Sequence, residues 1–155
     1  MYVLAPWKKA DPVIRWNLPD RIFFGHGACH ILAGVFINEQ IAPQFRPFWF
    51  RPENHSGSHV FVSDGELAFD YHGYSNLERL KAHHFRVWER QYPGWNALIE
   101  PAGFDLLNTE ELNRRNMRGP DKYLGDPVQR AADFLHRIDH SAAAEKARWR
   151  VIPYE

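Results

Sequence analysis

The dipeptide Asp64-Gly65 stands between two short apolar segments, residues 58–63 and 66–71, and constrains the fold more than any other feature of the sequence. Asp-Gly in this setting predicts a β-hairpin, because a tight type I′ turn needs positive φ angles at both central residues. The chain should therefore contain an antiparallel sheet.

A two-residue turn at Asp64 and Gly65 also predicts which residues of the hairpin face each other. Residue 63 then pairs with residue 66, and four residues further along each strand His59 lies opposite Asp70. Opposed residues on one face have Cβ atoms about 4.5–5.5 Å apart, so a carboxylate can hold an imidazole. The same face carries Phe61 and Ala68, and the other face carries Val60, Val62, Leu67 and Phe69.

A helix carrying the cysteine is predicted just before this hairpin. Residues 28–37 are apolar enough for a buried helix and follow Gly25-His26-Gly27. Cys29 would lie in the first turn of that helix. A helix N-terminus and an adjacent imidazolium both lower the pKa of a thiol from its ordinary value of about 8.5. We therefore predict Cys29 as nucleophile, His59 as base and Asp70 as the residue that orients the base.

The length of 155 residues suits one domain. We predict an extended arm over residues 1–20, a catalytic core over 21–100 and a helical part over 101–155. The other predicted elements are a strand at 45–50, a loop at 51–57, a helix capped by Ser75 and ending near Gln91, a strand at 97–99, a helix at 109–116 and a helical segment at 127–149 broken near Ser141. The expected class is α+β, with the cysteine helix packed on an antiparallel sheet and further C-terminal helices.

Three segments occur in a particular order along the chain: residues 27–33 with the cysteine, 58–62 with His59 and 68–73 with Asp70. In their composition and order they resemble the papain-like superfamily, which includes transglutaminase-like proteins, and most of all its small bacterial members. The resemblance implies a papain-like domain that cleaves or transfers an amide or ester bond through a Cys29 thioester. A peptide or protein is the implied substrate.

The oxyanion of such a reaction needs hydrogen-bond donors near the cysteine. Papain-type enzymes place a glutamine a few residues before the nucleophile, and no glutamine precedes Cys29 in this chain. We predict that His26, Gly27 and Ala28 contact the oxyanion or substrate, either through the His26 side chain or through the backbone alone.

Two other interpretations remain open from the sequence. The same fold could be a non-catalytic module that binds a peptide or protein in an aromatic cleft. Cysteine and histidine side chains could instead bind zinc, although adjacent helical residues diverge by about 100° and the spacing is poor. The residues concerned are His26, Cys29, His30, His55 and His72. Our prediction is that the protein has no metal site.

Charge and composition exclude several classes of function. Lysine plus arginine equals aspartate plus glutamate at 19 each, so we predict no nucleic-acid partner, and we expect Arg114, Arg115 and Arg118 to form a solvated face. Apolar stretches such as residues 31–37 are too short for a bilayer, so we predict no membrane partner and a cytoplasmic location. No phosphate-binding loop is present, and we predict no cofactor. The sequence sets no oligomeric state.

Overall fold

The structure is a computed structural model that describes residues 4–53 and 56–150. Its helices are α1 (Pro6–Ala10), α2 (Pro12–Trp16), α3 (Asp20–Gly25), α4 (Cys29–Asn38), α5 (Leu77–Gln91), α6 (Thr109–Arg114), α7 (Pro127–His136) and α8 (His140–Trp149), with a 3₁₀ turn at Pro120–Lys122. Its strands are β1 (Arg46–Pro52), β2 (His59–Ser63), β3 (Leu67–Asp70), β4 (Gly73–Asn76) and β5 (Ala97–Pro101). This mixture of helices and strands confirms the α+β class.

One five-stranded antiparallel sheet organises the molecule, in the order β4-β3-β2-β1-β5. Every residue of the central strands β2 and β3 is buried, because helices cover both faces. Residues of α4 pack with Val60, Val62, Leu67 and Phe69 on one face. Residues of α5 pack with Phe61 and Ala68 on the other. The division of the hairpin between two faces is therefore as predicted.

The hairpin turn lies one residue later than predicted, which shifts the pairing of β2 with β3 by two residues. The Asp64 carboxylate accepts hydrogen bonds from the N–H groups of Glu66 at 2.9 Å and Leu67 at 2.8 Å, so the central turn residues are Gly65 and Glu66. Ser63 therefore pairs with Ala68 and not with residue 66. The predicted direct opposition of His59 and Asp70 is wrong. A shift of two residues nevertheless keeps every side chain on its predicted face, because side chains alternate with a period of two.

The extended arm predicted over residues 1–20 is wrong for the part that the structure describes. It forms α1 and α2, and the Asp11 carboxylate caps α2 by accepting from Val13 N at 2.8 Å. Arg15 is buried and donates to the Lys9 carbonyl at 2.8 Å. Arg130 of α7 donates to Asp20 at 2.8 Å and ties the start of α3 to the body. Helices of five residues are too short to show a period in the sequence.

Strand β4 was not predicted, and it changes where α5 begins. Ser75, the predicted cap, pairs with Ala68 in the sheet. The cap is Asn76, whose side chain accepts from Arg79 N at 3.2 Å. The predicted strands at 45–50 and 97–99 and the helix at 109–116 are present with small shifts in their ends. The helical segment at 127–149 is broken at 137–139, next to the predicted position.

Within the described ranges, no helix has both the length and the apolar content that crossing a lipid bilayer requires.

Candidate active site

Cys29 begins α4, where the sequence predicted it. It is partly exposed, although its neighbours Ala28 and His30 are buried. The Val60 N–H of the adjacent strand donates to the Cys29 Sγ at 3.4 Å. The sulfur thus lies between the first turn of α4 and the start of β2, which brings together two segments some thirty residues apart in the chain.

His59 and Asp70 form a buried pair beside this cysteine. The Nε2 of His59 lies 3.0 Å from Oδ2 of Asp70. Since an ionised carboxylate can only accept, Nε2 carries a hydrogen and Nδ1 is the nitrogen left for the thiol. The charges of His59 and Cys29 also act on each other. The other Asp70 oxygen accepts from His72 N at 2.8 Å, which fixes the carboxylate in place.

The charges at these three residues stabilise one another. Burial raises the pKa of the Cys29 thiol, but interactions with the His30 and His59 side chains outweigh this and lower the pKa to about 5. Burial lowers the pKa of His59, but Asp70 and Cys29 outweigh it and raise the pKa to about 10. Burial raises the pKa of Asp70, but hydrogen bonds from His59 and His72 outweigh this and hold the pKa well below its usual range. The arrangement favours a thiolate–imidazolium pair at neutral pH.

His30 is a second histidine that helps to lower the pKa of the Cys29 thiol, a role that the sequence did not predict. It is buried, and its Nε2 donates to the Arg118 carbonyl at 2.7 Å. Helix geometry argued against this role, because adjacent helical residues normally point in different directions.

The predicted oxyanion contacts lie where the chain turns into α4. His26 ends α3, and its backbone N–H is already bonded to the Phe23 carbonyl at 3.3 Å. Gly27 is exposed with a φ of 110°, and its carbonyl accepts from the Tyr123 hydroxyl at 2.6 Å. Ala28 precedes the helix and provides no side-chain cap. The first-turn N–H groups of α4 have no partners within the helix, so the Cys29 backbone N–H is available to an oxyanion.

Arg118 belongs to the edge of this site and not to the solvated face predicted for it. It is half-buried, and its guanidinium lies 3.1 Å from the position that a Cβ on Gly27 would occupy. It also lies over the ring of Tyr123, with 5.7 Å between its Cζ and the ring centroid. No local sequence signal links residues 118 and 123 to Cys29, since only the packing of the C-terminal part brings them there.

Two aromatic contacts hold the His59 ring from its other sides. The Tyr71 ring meets it edge-on with centroids 5.5 Å apart, and Gly25 leaves room for Tyr71, since a Cβ there would lie 3.0 Å from that ring. The His84 ring stacks on His59 with centroids 5.3 Å apart. His84 Nε2 donates to the Gly57 carbonyl at 2.8 Å. Both rings restrict how the imidazole can rotate.

Among residues 4–53 and 56–150, no three histidine, cysteine, aspartate or glutamate side chains are grouped closely enough to hold a metal ion. His55, one of the candidate zinc ligands, lies outside the described residues.

Comparison with known proteins adds no family assignment to this geometry. No protein-family model matches the chain, and no curated protein or solved structure matches it significantly.

Proposed function

We propose that this protein is a cysteine-dependent hydrolase or acyltransferase that forms a thioester on Cys29. The observation that supports this most is the position of Cys29 at the start of α4 and against the first residues of β2, where His59 is hydrogen-bonded to Asp70. The interactions with His59 and His30 lower the pKa of the thiol to about 5. A structural cross-strand pair would need only His59 and Asp70. It would not need a partly exposed cysteine at a helix N-terminus beside them.

In the proposed reaction, the Cys29 thiolate attacks the carbonyl carbon of an amide or ester. A C–S bond forms, and the carbonyl electron pair moves to the oxygen, which the Cys29 backbone N–H stabilises. When this intermediate collapses, the bond to the leaving amine or alcohol breaks and the leaving group takes the proton from the His59 imidazolium. The acyl group is then a thioester.

The second half of the proposed reaction returns the enzyme to its starting state. Water or an amine attacks the thioester carbonyl while His59 accepts its proton. The C–S bond breaks, and Cys29 leaves as a thiolate beside the imidazolium. Asp70 keeps Nε2 protonated throughout, so Nδ1 is the nitrogen that gives up and regains the proton. Hydrolysis and transfer differ only in the second attacking group. We propose a peptide or protein as the substrate.

The direct test is to trap the acyl-enzyme with p-nitrophenyl acetate. We expect a burst of p-nitrophenol close to one equivalent and an acetyl adduct that mass spectrometry of peptides places on Cys29. Cys29→Ser should abolish the thioester, and His59→Ala should slow its formation at least about a hundredfold. His136→Ala is the matched control, because His136 is exposed and pairs with Glu39 on another surface.

A folded protein whose Cys29 reacts neither with this ester nor with iodoacetamide would contradict the proposal. In that case the non-catalytic binding module would become the better hypothesis. Metal analysis of the purified chain tests the zinc alternative separately, and about one equivalent of zinc bound through Cys29 would also contradict a free thiolate.

A further inference from the structure

A cleft of about 330 Å³ lies between the β3–β4 turn, α5 and the end of α8. His59 and Asp70 form part of its wall, on the α5 side of the sheet. Cys29 is not among the described residues that line it. The cleft is therefore a second concave site that shares a wall with the proposed active site. Its volume falls within the range of small-ligand pockets, about 300–1,000 Å³.

The wall of this cleft is strongly basic. Its ionisable members beyond His59 and His84 are His72, Arg79, His83, Arg86 and Arg150, with Asp70 as the acidic residue among the described lining. Asp70 is buried and already bonded to His59 and His72. The Asp70 carboxylate therefore interacts with these two histidines. No other carboxylate of the described lining balances the arginine charges.

The three arginines have no ion-pair partner among the described residues. This distinguishes them from Arg130, which is bound to Asp20 at 2.8 Å. A neighbouring hollow of about 420 Å³ shares His72 and Arg150 with the cleft and adds Arg21 and Lys146. The unbalanced positive charge thus continues along the surface, although the protein as a whole has a formal net charge of zero.

The positive charge of the cleft wall affects the pKa of His83, which is part of that wall. Its pKa is lowered by burial and by the positive charge of His72 and Arg86, with Asp70 opposing them weakly. Its Nε2 is buried and has no hydrogen-bond partner among the described residues. A bound anion would reverse the electrostatic part of this shift, because negative charge favours the protonated ring.

We propose that this cleft binds a small molecule carrying two or more phosphate groups. Three guanidinium groups provide more charge than one carboxylate can neutralise, and their planar donors match phosphate oxygens in pairs. A recessed cleft of this volume suits a soluble ligand better than a flat lipid surface. The proposal does not depend on Cys29, so it stands or falls separately from the proposed catalytic function.

The test uses pyrophosphate as the probe and histidine ring proton signals in NMR as the readout. We expect a saturable shift of the His83 signal, assigned with His83→Gln, and a higher pKa for His83 when pyrophosphate is bound. Orthophosphate should bind more weakly, and Cys29→Ser should bind pyrophosphate as tightly as the wild type. Equal binding by that variant separates this proposal from the catalytic one.

Two arginines on one helix provide a matched pair of variants. Arg86→Gln, in the cleft wall, should weaken pyrophosphate binding about tenfold or more. Arg90, which is exposed like Arg86, lies one turn along α5 and outside the lining. Arg90→Gln should therefore change pyrophosphate binding less than about twofold. Absence of saturation, equal losses in both variants, tighter binding of citrate, or a response only to phosphatidylglycerol vesicles would each overturn the proposal.

Discussion

The Nε2 of His59 lies 3.0 Å from Oδ2 of Asp70, although these residues are not opposite each other in the β2–β3 ladder. Val62 pairs with Phe69, so the same register places Phe61 across from Asp70. His59 meets Asp70 along the diagonal, where Cα atoms are about 7–8 Å apart and a long side chain can still reach. The pair therefore depends on side-chain length as well as on register.

The first prediction concerns the charge of Asp70. Asp70→Asn removes the carboxylate that holds the His59 proton, so the pKa of His59 should fall and the pKa of the Cys29 thiol should rise. Alkylation by iodoacetamide at neutral pH should slow about tenfold or more. Asp64→Asn is the control, because Asp64 bonds the hairpin turn and not His59. Equal thiol titration in all three proteins would show that Asp70 has no role in activation.

The second prediction is the pH profile of thiol reactivity. Because the pKa of Cys29 is lowered to about 5, the alkylation rate should rise as pH increases through about 5 and then stay level. Acyl transfer also needs the His59 proton, so it should fall again above about pH 10, where the imidazolium is lost. In His59→Ala the lower limb should move toward about 8.5, the ordinary value of a thiol. If the alkylation rate of the wild type already rose only near pH 8.5, the thiolate–imidazolium pair would be contradicted.

The third prediction concerns the stacked histidine. His84→Phe keeps a flat ring against His59 but leaves the buried Gly57 carbonyl without its donor, so the free energy of unfolding at pH 7 should fall by about 1–3 kcal/mol. His84→Gln retains a donor but loses the ring, and it should slow acylation more than His84→Phe does. Urea denaturation and the ester assay measure the two effects. The reverse order of the variants in the ester assay would exclude a positioning role for the ring.

The low pKa of His84 also predicts how acid changes the free energy of unfolding. Burial, together with the charge of His59, lowers the pKa of His84 from 6.5 to about 3. Between these values the unfolded chain binds a proton that the folded protein does not, so this group destabilises the fold as pH falls from 6.5 toward 3. His84→Phe lacks the effect. The difference in unfolding free energy between wild type and His84→Phe should therefore be smaller at pH 4.5 than at pH 7.

The fourth prediction compares two glycines that both have positive φ. Gly57 has a φ of 110°, and a Cβ there would lie 2.8 Å from the Trp88 ring. Gly65 has a φ of 99° with nothing within 4 Å of a Cβ. Gly65→Ala should cost about 1 kcal/mol of unfolding free energy from backbone strain alone. Gly57→Ala adds a steric conflict between the new Cβ and the Trp88 ring, two residues before His59. It should therefore lower the free energy of unfolding by at least about 2 kcal/mol more than Gly65→Ala does. Equal losses in urea denaturation would contradict the close packing at Gly57.

Local patterns in the sequence determined several parts of this protein. Alternation along residues 58–71 placed His59 and Asp70 on one face, and an error of two residues in the strand pairing did not alter that, because the period is two. The apolar segment after Gly27 placed Cys29 in the first turn of a helix. Both predictions depend on neighbours within a few residues, which is the range over which side-chain periodicity carries information.

Only the tertiary structure decided what surrounds these residues. The Asp64 side chain set the turn, and the packing of α4 on the sheet brought Cys29 against Val60 and His59. His84, Arg118 and Tyr123 reach the site from later parts of the chain. Such contacts depend on the closure of long loops and on shape complementarity in the core, and neither leaves a periodic signal in the sequence.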